Sequence, residues 1–233
     1  MFFRHSSDIW REFPQLSAGI LLVQGVNALH GVPDVVTGLW ALAKERLAGT
    51  SEGDLPEIQA WRRAFSTMGI KPTQYRCAAE SLLRRFRKEG SIPPLHPVID
   101  LCNAVSLRFA TPVAVFDPRK VTGFLEVRYA KGDEVYTPFS GPDEKPQPPE
   151  IVFADAAGRA HSRRWSHRQS GYSAVSESTT TGLIVAEALH ASSRTDMPEL
   201  VSTLQKLLVQ VGAGAIRTGI LTTPGEFAFS AEG

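Results

Sequence analysis

Two polar side chains, Asp100 and Asn103, interrupt the apolar segment formed by residues 97–107. A basic helical pattern over residues 75–88 and a proline-rich elbow at residues 93–97 precede this segment. A buried polar group without a partner costs about 1–3 kcal/mol. Either the fold or a ligand must therefore supply partners for this carboxylate and this amide.

Asn103 and Ser106 lie within one helical turn of each other and could point into the same pocket. A carboxamide in a pocket can bind an ester carbonyl or a ribose hydroxyl of a ligand. The alternative is structural, with Asn103 satisfying backbone groups inside the core.

A second cluster of chemically capable residues combines aromatic and basic side chains at residues 165–168, Trp-Ser-His-Arg. Arg168 could bind a carboxylate or a phosphate with two parallel hydrogen bonds, and His167 offers an imidazole. Glu187 follows an apolar β-branched run, where a carboxylate needs a partner. Glu187 could bind a group of a ligand. Alternatively, Arg168 could lie on a solvated hairpin and form a structural ion pair with Glu187.

Basic residues are also grouped on the outer face of the helix predicted over residues 75–88 and near residue 163. The net charge of the chain is only +1, so contact with RNA would depend on such local patches. A charged helix face can equally be a solvated face. The candidate tRNA-binding residues are Arg76, Arg84, Arg85, Arg87, Arg163 and Arg164.

The composition excludes several classes of protein. The 233 residues are 42% hydrophobic and 21% charged, values typical of a soluble globular protein. The N-terminal residues do not read as a signal peptide, and no apolar run has the length of a membrane span. Two isolated cysteines indicate no disulfide framework and favour a cytoplasmic location. The sequence has no metal-ligand spacing, Walker loop or dinucleotide fingerprint, so we expect neither a metal nor a cofactor.

The periodicity of the sequence predicts an α+β fold with flanking helices and a mixed, mainly antiparallel sheet system. Helical spacing dominates residues 33–109, whereas short β-rich pieces separated by Gly, Pro and Asp follow residue 112. We expect a single domain over residues 1–233. Its core is residues 71–190, its N-terminal helical part is residues 1–70, and a C-terminal helix with strands occupies residues 196–229.

The order and spacing of several motifs resemble the tRNA-editing domain of the phenylalanyl-tRNA synthetase beta subunit, the B-three/B-four domain, and its free-standing homologues. The matching motifs are residues 97–107 (PVIDLCNAVSL), Phe116-Asp117, residues 128–130 (RYA), residues 165–170 (WSHRQS), residues 178–181 (STTT) and Glu187.

The resemblance implies a trans-acting protein that hydrolyses the aminoacyl ester of misacylated tRNA, with no cofactor, no membrane and no DNA as partner. On this interpretation Asn103, Arg168 and Glu187 are the candidate catalytic residues, and Ser106, His167 and Thr180 are the candidate substrate-binding residues; the resemblance itself supports Asn103 and Glu187. One departure concerns Ala114, which stands where the synthetase family has a histidine.

Whether the chain is an enzyme is therefore left open at this point. One alternative is a non-catalytic module of the same fold that binds tRNA or another protein. The other is a hydrolase or binder of small amino-acid-like ligands. We expect Asn103, Arg168 and Glu187 to converge on one cleft, with the Arg168 guanidinium paired to Glu187.

Overall fold

The computed structural model of the protein describes residues 1–230, and within this range the chain forms six α-helices and eleven β-strands. The helices are α1 (Ser7–Glu12), α2 (Val32–Leu47), α3 (Pro56–Thr67), α4 (Ala78–Glu89), α5 (Pro97–Phe109) and α6 (Ser193–Gln210). The strands are β1 (Phe2–His5), β2 (Ser17–Gln24), β3 (Val113–Phe116), β4 (Phe124–Tyr129), β5 (Val135–Tyr136), β6 (Ile151–Asp155), β7 (Arg159–Arg163), β8 (Arg168–Gln169), β9 (Thr181–Ala188), β10 (Ile216–Leu221) and β11 (Glu226–Ala228).

The strands form two sheets. The smaller sheet has the order β10-β2-β9-β3, and each of its pairs is antiparallel. The larger sheet has the order β11-β1-β4-β6-β7-β5, with β8 added beside β7. Its β1–β4 and β5–β7 pairs are parallel, and its remaining pairs are antiparallel. The predicted α+β class with mixed, mainly antiparallel sheets is confirmed.

Strand β2 of the smaller sheet is buried on both faces. Successive side chains of a strand point to opposite faces. Ile20 and Leu22 pack into the cluster between the two sheets, which also includes side chains of α3 and α4. Leu21 and Val23 pack into a separate cluster with apolar side chains of α2, α5 and α6. A strand covered from both sides needs no polar alternation, which explains the continuous apolar run of β2.

The N-terminal part is less helical than the sequence predicts. Residues 1–70 contribute β1 to the larger sheet and β2 to the smaller one, in addition to α1, α2 and α3. Strand β1 has only four residues, too few to establish a periodic signal. It forms by pairing with β4 and β11, both of which are more than 100 residues away in the sequence.

Two further features complete the fold. Helix α6 begins at Ser193, before the predicted start at residue 196, and Pro198 lies inside it. Among the helices within residues 1–230, none combines the length and apolar character that a membrane crossing requires.

Gly19 on β2 allows α6 to approach the smaller sheet closely. A Cβ atom at this position would lie 2.5 Å from Val201 Cγ2 and 2.7 Å from Met197 Sδ. We expect Gly19→Ala to lower the free energy of unfolding by about 1–3 kcal/mol, because these core contacts must be displaced. Urea denaturation measures the change. Gly38→Ala on α2 is the control, since no atom lies within 4 Å of its added Cβ. A Gly19→Ala protein as stable as the wild type would contradict this packing.

Candidate functional site

The turn between β7 and β8 positions the aromatic and basic cluster. Arg164 and Trp165 both adopt left-handed backbone conformations, with φ of 48° and 55°. Such conformations cost non-glycine residues about 1–3 kcal/mol each unless the surrounding structure enforces them. Here the turn directs the Trp165 indole into the core, where its ring centroid lies 5.0 Å from that of Trp61 and 4.9 Å from that of Phe13. Burial of this large side chain offsets the backbone cost.

Glu187 is buried and already has two partners within the protein. Its Oε1 lies 2.6 Å from His5 Nε2, and its Oε2 accepts a hydrogen bond from Trp165 Nε1 at 3.0 Å. The predicted ion pair between Arg168 and Glu187 is therefore wrong. The Arg168 side chain is 43% exposed, and its nearest carboxylate within residues 1–230 is Glu144, 3.8 Å away.

A cavity of about 70 Å³, the intersheet cavity, opens beside this group. Ala114 and Phe116 of β3, Glu187 of β9 and the β7–β8 turn meet there. The turn and the start of β8 contribute Trp165, Ser166, His167, Arg168 and Gln169, which include an indole, a hydroxyl, an imidazole, a guanidinium and an amide. The prediction that Arg168 and Glu187 share a cleft is correct, and His167 lines the same cavity.

The environment of His167 makes it a proton acceptor. Its Nδ1 lies 2.7 Å from the backbone carbonyl oxygen of Arg76. A carbonyl only accepts, so Nδ1 carries the proton and Nε2 keeps a lone pair. Burial lowers the pKa of His167 below its ordinary value, and the nearby guanidinium groups of Arg164 and Arg168 lower it further. The imidazole is therefore neutral at physiological pH.

Three predicted site residues lie elsewhere. Asn103 lines a different cavity, formed by α2, the elbow and α5. The Ser106 hydroxyl is buried and donates to the Thr111 carbonyl at 2.7 Å, a structural role. Thr180 is exposed and does not line the intersheet cavity. The predicted convergence of Asn103 with Arg168 and Glu187 is therefore wrong.

The alternation of β9 explains the separation of Asn103 from Glu187. Val185 and Glu187 line the intersheet cavity, whereas Ile184 and Ala186 face the cluster that includes α5. Asn103 belongs to α5 and lies beyond that opposite face. The Asn103 and Glu187 side chains therefore lie on opposite sides of the smaller sheet.

Most of the predicted tRNA-binding arginines are ion-paired within the chain. The pairs and their distances are Arg76–Glu80 (3.3 Å), Arg84–Glu52 (3.1 Å), Arg85–Glu89 (2.9 Å), Arg87–Glu52 (3.2 Å) and Arg163–Glu150 (2.8 Å). Arg163 is also largely buried and pairs with Glu144. By contrast, the guanidinium of Arg164 lies 4.1 Å from the centroid of the Tyr75 ring, and the His167 ring meets the same ring edge-on. The basic surface beside the cavity is therefore Arg164 with Arg168.

Sequence reasoning missed several residues that build the site. His5, Phe13, Trp61 and Tyr75 hold Glu187, Trp165, Arg164 and His167 in place, but they come from distant parts of the chain. Only Tyr75 carried a signal, because it is the first residue of the predicted basic helix. The others look like ordinary core residues in the sequence.

Neither thiol chemistry nor the acidic cluster contributes to the cavity. Burial raises the pKa of Cys77 to about 12, and it raises the pKa of Cys102 as well, so neither thiol is a nucleophile at neutral pH. Glu57, His190 and Asp196 place ligand atoms within 4.8 Å of one another, the spacing of a metal site. Within residues 1–230 these groups already pair internally: His190 Nε2 lies 2.7 Å from Asp196, and Arg46 pairs with Glu57.

The B3/4 domain family matches residues 60–200, more than half of the chain. The protein belongs to this family of α+β domains. Among similar proteins is the phenylalanine–tRNA ligase beta subunit of Haemophilus influenzae, 28% identical over 140 residues, which are 60% of this chain and 16% of that subunit. The corresponding subunit of Thiobacillus denitrificans is 36% identical over 117 residues, which are 48% of this chain and 14% of that protein.

A solved structure is also similar, the N-terminal fragment of the phenylalanyl-tRNA synthetase beta subunit from Pyrococcus horikoshii. The match has a TM-score of 0.42 at 14% identity and covers 52% of this chain and 41% of that fragment. The regions matched are only 16% and 14% of the lengths of the Haemophilus influenzae and Thiobacillus denitrificans subunits.

Arg163 should prove structural despite its charge. We expect Arg163→Gln to lower the free energy of unfolding by about 3–5 kcal/mol, because Glu150 would be left buried without its partner. Arg164→Gln should cost less than about 1 kcal/mol, since it removes only a contact with the face of Tyr75. Urea denaturation of both proteins measures the difference. Similar small losses would mean that Arg163 is available for a ligand.

Proposed function

We propose that this protein hydrolyses the ester bond of an aminoacyl-tRNA in the intersheet cavity. The observation that carries the proposal is the meeting of a neutral His167, an exposed Arg168 and Glu187 in one cavity of a B3/4 domain. Relatives that share this domain are beta subunits of a tRNA ligase, which supports tRNA as the partner. The chain would act in trans on tRNA charged elsewhere.

The reaction requires positioning more than it requires a strong nucleophile, because an aminoacyl ester is already activated. His167 Nε2 accepts a proton from a water molecule, and the water oxygen forms a bond to the ester carbonyl carbon. The Arg168 guanidinium stabilises the negative charge that develops on the carbonyl oxygen. The ester C–O bond then breaks, and the ribose oxygen leaves with the proton that His167 had taken.

In this proposal Glu187 has a positioning role. Its carboxylate is held by His5 and Trp165, so it fixes the turn that carries His167 and Arg168. The imidazole of His167 would take the place of the one that Ala114 lacks. In this proposal the imidazole is supplied by the β7–β8 turn, whereas the resemblance places it on β3.

The size of the cavity indicates the class of amino acid. The Trp165 side chain is fully buried, and the cavity beside it is narrow, with a volume of about 70 Å³, which favours a small side chain over an aromatic one. We therefore assign small aminoacyl groups, such as glycyl, alanyl and seryl, as substrates. The terminal nucleotides of the tRNA would lie outside, near Arg164 and Tyr75, since bases stack on aromatic rings and guanidinium planes.

A second candidate is a tRNA-binding module without catalysis. Two observations favour it, namely Ala114 in the place of the family histidine and the complete engagement of Glu187 by the protein. Turnover separates the two functions. A binding module would retain tRNA affinity and leave every ester intact at stoichiometric protein.

A panel of aminoacyl-tRNAs tests the size prediction. We expect alanyl- and seryl-tRNA to be deacylated at least tenfold faster than tyrosyl- and phenylalanyl-tRNA, because the narrow cavity beside Trp165 favours small acyl groups. Release of radiolabelled amino acid measures the rates. Trp165→Phe should narrow this preference, provided that circular dichroism confirms its fold. Preferential hydrolysis of the aromatic substrates would contradict the assignment.

The pH dependence tests His167 as the base. Since its folded-state pKa is lowered, kcat/KM should rise with a midpoint below the ordinary histidine value of about 6.5 and then stay level to neutral pH. Arg164→Gln should move this midpoint to higher pH, because a positive charge that disfavours the imidazolium is removed. His167→Gln should reduce the rate by about 10²–10⁴-fold.

Arg85→Gln is the matched control for the pH experiment. Arg85 pairs with Glu89 on the outer face of α4 and does not line the cavity, so its loss should leave the midpoint unchanged. Full activity of His167→Gln would remove this residue from the mechanism. An unshifted midpoint in Arg164→Gln would show that another group titrates.

A further inference from the structure

A cavity on the other side of the smaller sheet, the elbow cavity, has no part in the proposed reaction. It has a volume of about 330 Å³ and lies between α2, the proline-rich elbow and the first turns of α5. This volume falls within the ~300–1,000 Å³ range of small-molecule sites. Its walls are mainly apolar and include Val36, Trp40, Ile92 and Pro97. The elbow cavity and the intersheet cavity share no lining residue.

Two polar side chains of α5 line this apolar space. Asp100 and Asn103 are three residues apart and therefore lie on one face of the helix. Asp100 Oδ1 accepts a hydrogen bond from the Leu95 backbone N–H at 2.8 Å. Within residues 1–230, Asp100 Oδ2 and the Asn103 carboxamide have no hydrogen-bond partner in the protein. Asp100 is also the one charged side chain among the described lining residues.

We propose that the elbow cavity binds a small hydrophobic primary amine. An ammonium group carries three N–H donors and a positive charge, which match Asp100 Oδ2 and the amide oxygen of Asn103. An alkyl or phenyl body would occupy the apolar space beside Trp40 and Val36. The carboxylate of Asp100 disfavours acids, because two like charges would lie close together. This binding is independent of the proposed ester hydrolysis.

Asp100 has a structural role that the test must separate from ligand binding. Its bond from Leu95 N–H holds the elbow against α5. Asp100→Asn keeps an acceptor oxygen for this bond and removes the charge. Asn103→Leu removes the amide and leaves the Asp100 contact intact. Asp34→Asn is the charge-matched control, because Asp34 is exposed on α2 and does not line the cavity.

Isothermal titration with 2-phenylethylamine and 3-methylbutylamine tests the proposal on the full chain. Both amines should bind, whereas the neutral analogue 2-phenylethanol should bind at least tenfold more weakly and phenylacetate should not bind. Asp100→Asn should raise the Kd of the amines at least tenfold, and Asn103→Leu should raise it about fivefold. Asp34→Asn should leave it unchanged.

Several results would overturn the proposal. These are the absence of amine binding, equal affinity for amine and alcohol, or an unchanged Kd in Asp100→Asn. If Asp100→Asn does not fold, the comparison of amine with alcohol and the Asn103→Leu variant decide the matter. Wild-type affinity for the amines in Asn103→Leu, together with equal binding of the alcohol, would show a purely apolar groove.

Discussion

The buried carboxylate of Glu187 is the polar contact on which the arrangement of the site depends. It belongs to the smaller sheet, whereas its partner His5 belongs to the larger sheet and its partner Trp165 to the β7–β8 turn. Three segments that are distant in sequence are thus joined at one buried group. Losing either donor would leave a charge in the core partly unsatisfied, and that penalty makes the arrangement strongly preferred over alternatives.

The contact between Glu187 and Trp165 also affects which side chains line the intersheet cavity. The turn that holds the Trp165 indole against Glu187 has a left-handed backbone at residues 164 and 165, and it also brings His167 and Arg168 to the cavity. The indole occupies space that would otherwise be open. The size of the cavity and the location of His167 therefore both depend on how the β7–β8 turn packs Trp165.

The sequence was informative where the signal was local. The helical spacing of residues 33–109 and the short β-rich pieces after residue 112 were both predicted from local patterns, and the structure has α2 to α5 within residues 32–109 and β3 to β9 after residue 112. Asn103 was misplaced because its location depends on which face of β9 is covered by α5. The face of the sheet is a tertiary property, which neither the helical period nor the strand period can reveal.

The free basic face predicted for α4 was wrong for a similar reason, because the ion-pair partners of its arginines depend on the tertiary structure. Arg84 and Arg87 look free in the sequence, but both pair with Glu52, which lies more than 30 residues earlier.

The neutralised basic face constrains how this protein could select tRNA. A chain with a net charge of +1, whose helix-face arginines are paired with carboxylates, has little long-range attraction for a polyanion. In the proposed reaction, recognition of tRNA would then come from short-range contacts at the cavity mouth, where Arg164 lies on Tyr75 and His167 meets the same ring. Under the proposed function, such a surface would bind the terminal nucleotides that all tRNAs share, and the helix-face arginines within residues 1–230 would offer no extended basic track for the rest of the tRNA. In the proposed reaction, discrimination among substrates would therefore depend on the fit of the aminoacyl group beside Trp165, and the identity of the tRNA would contribute little.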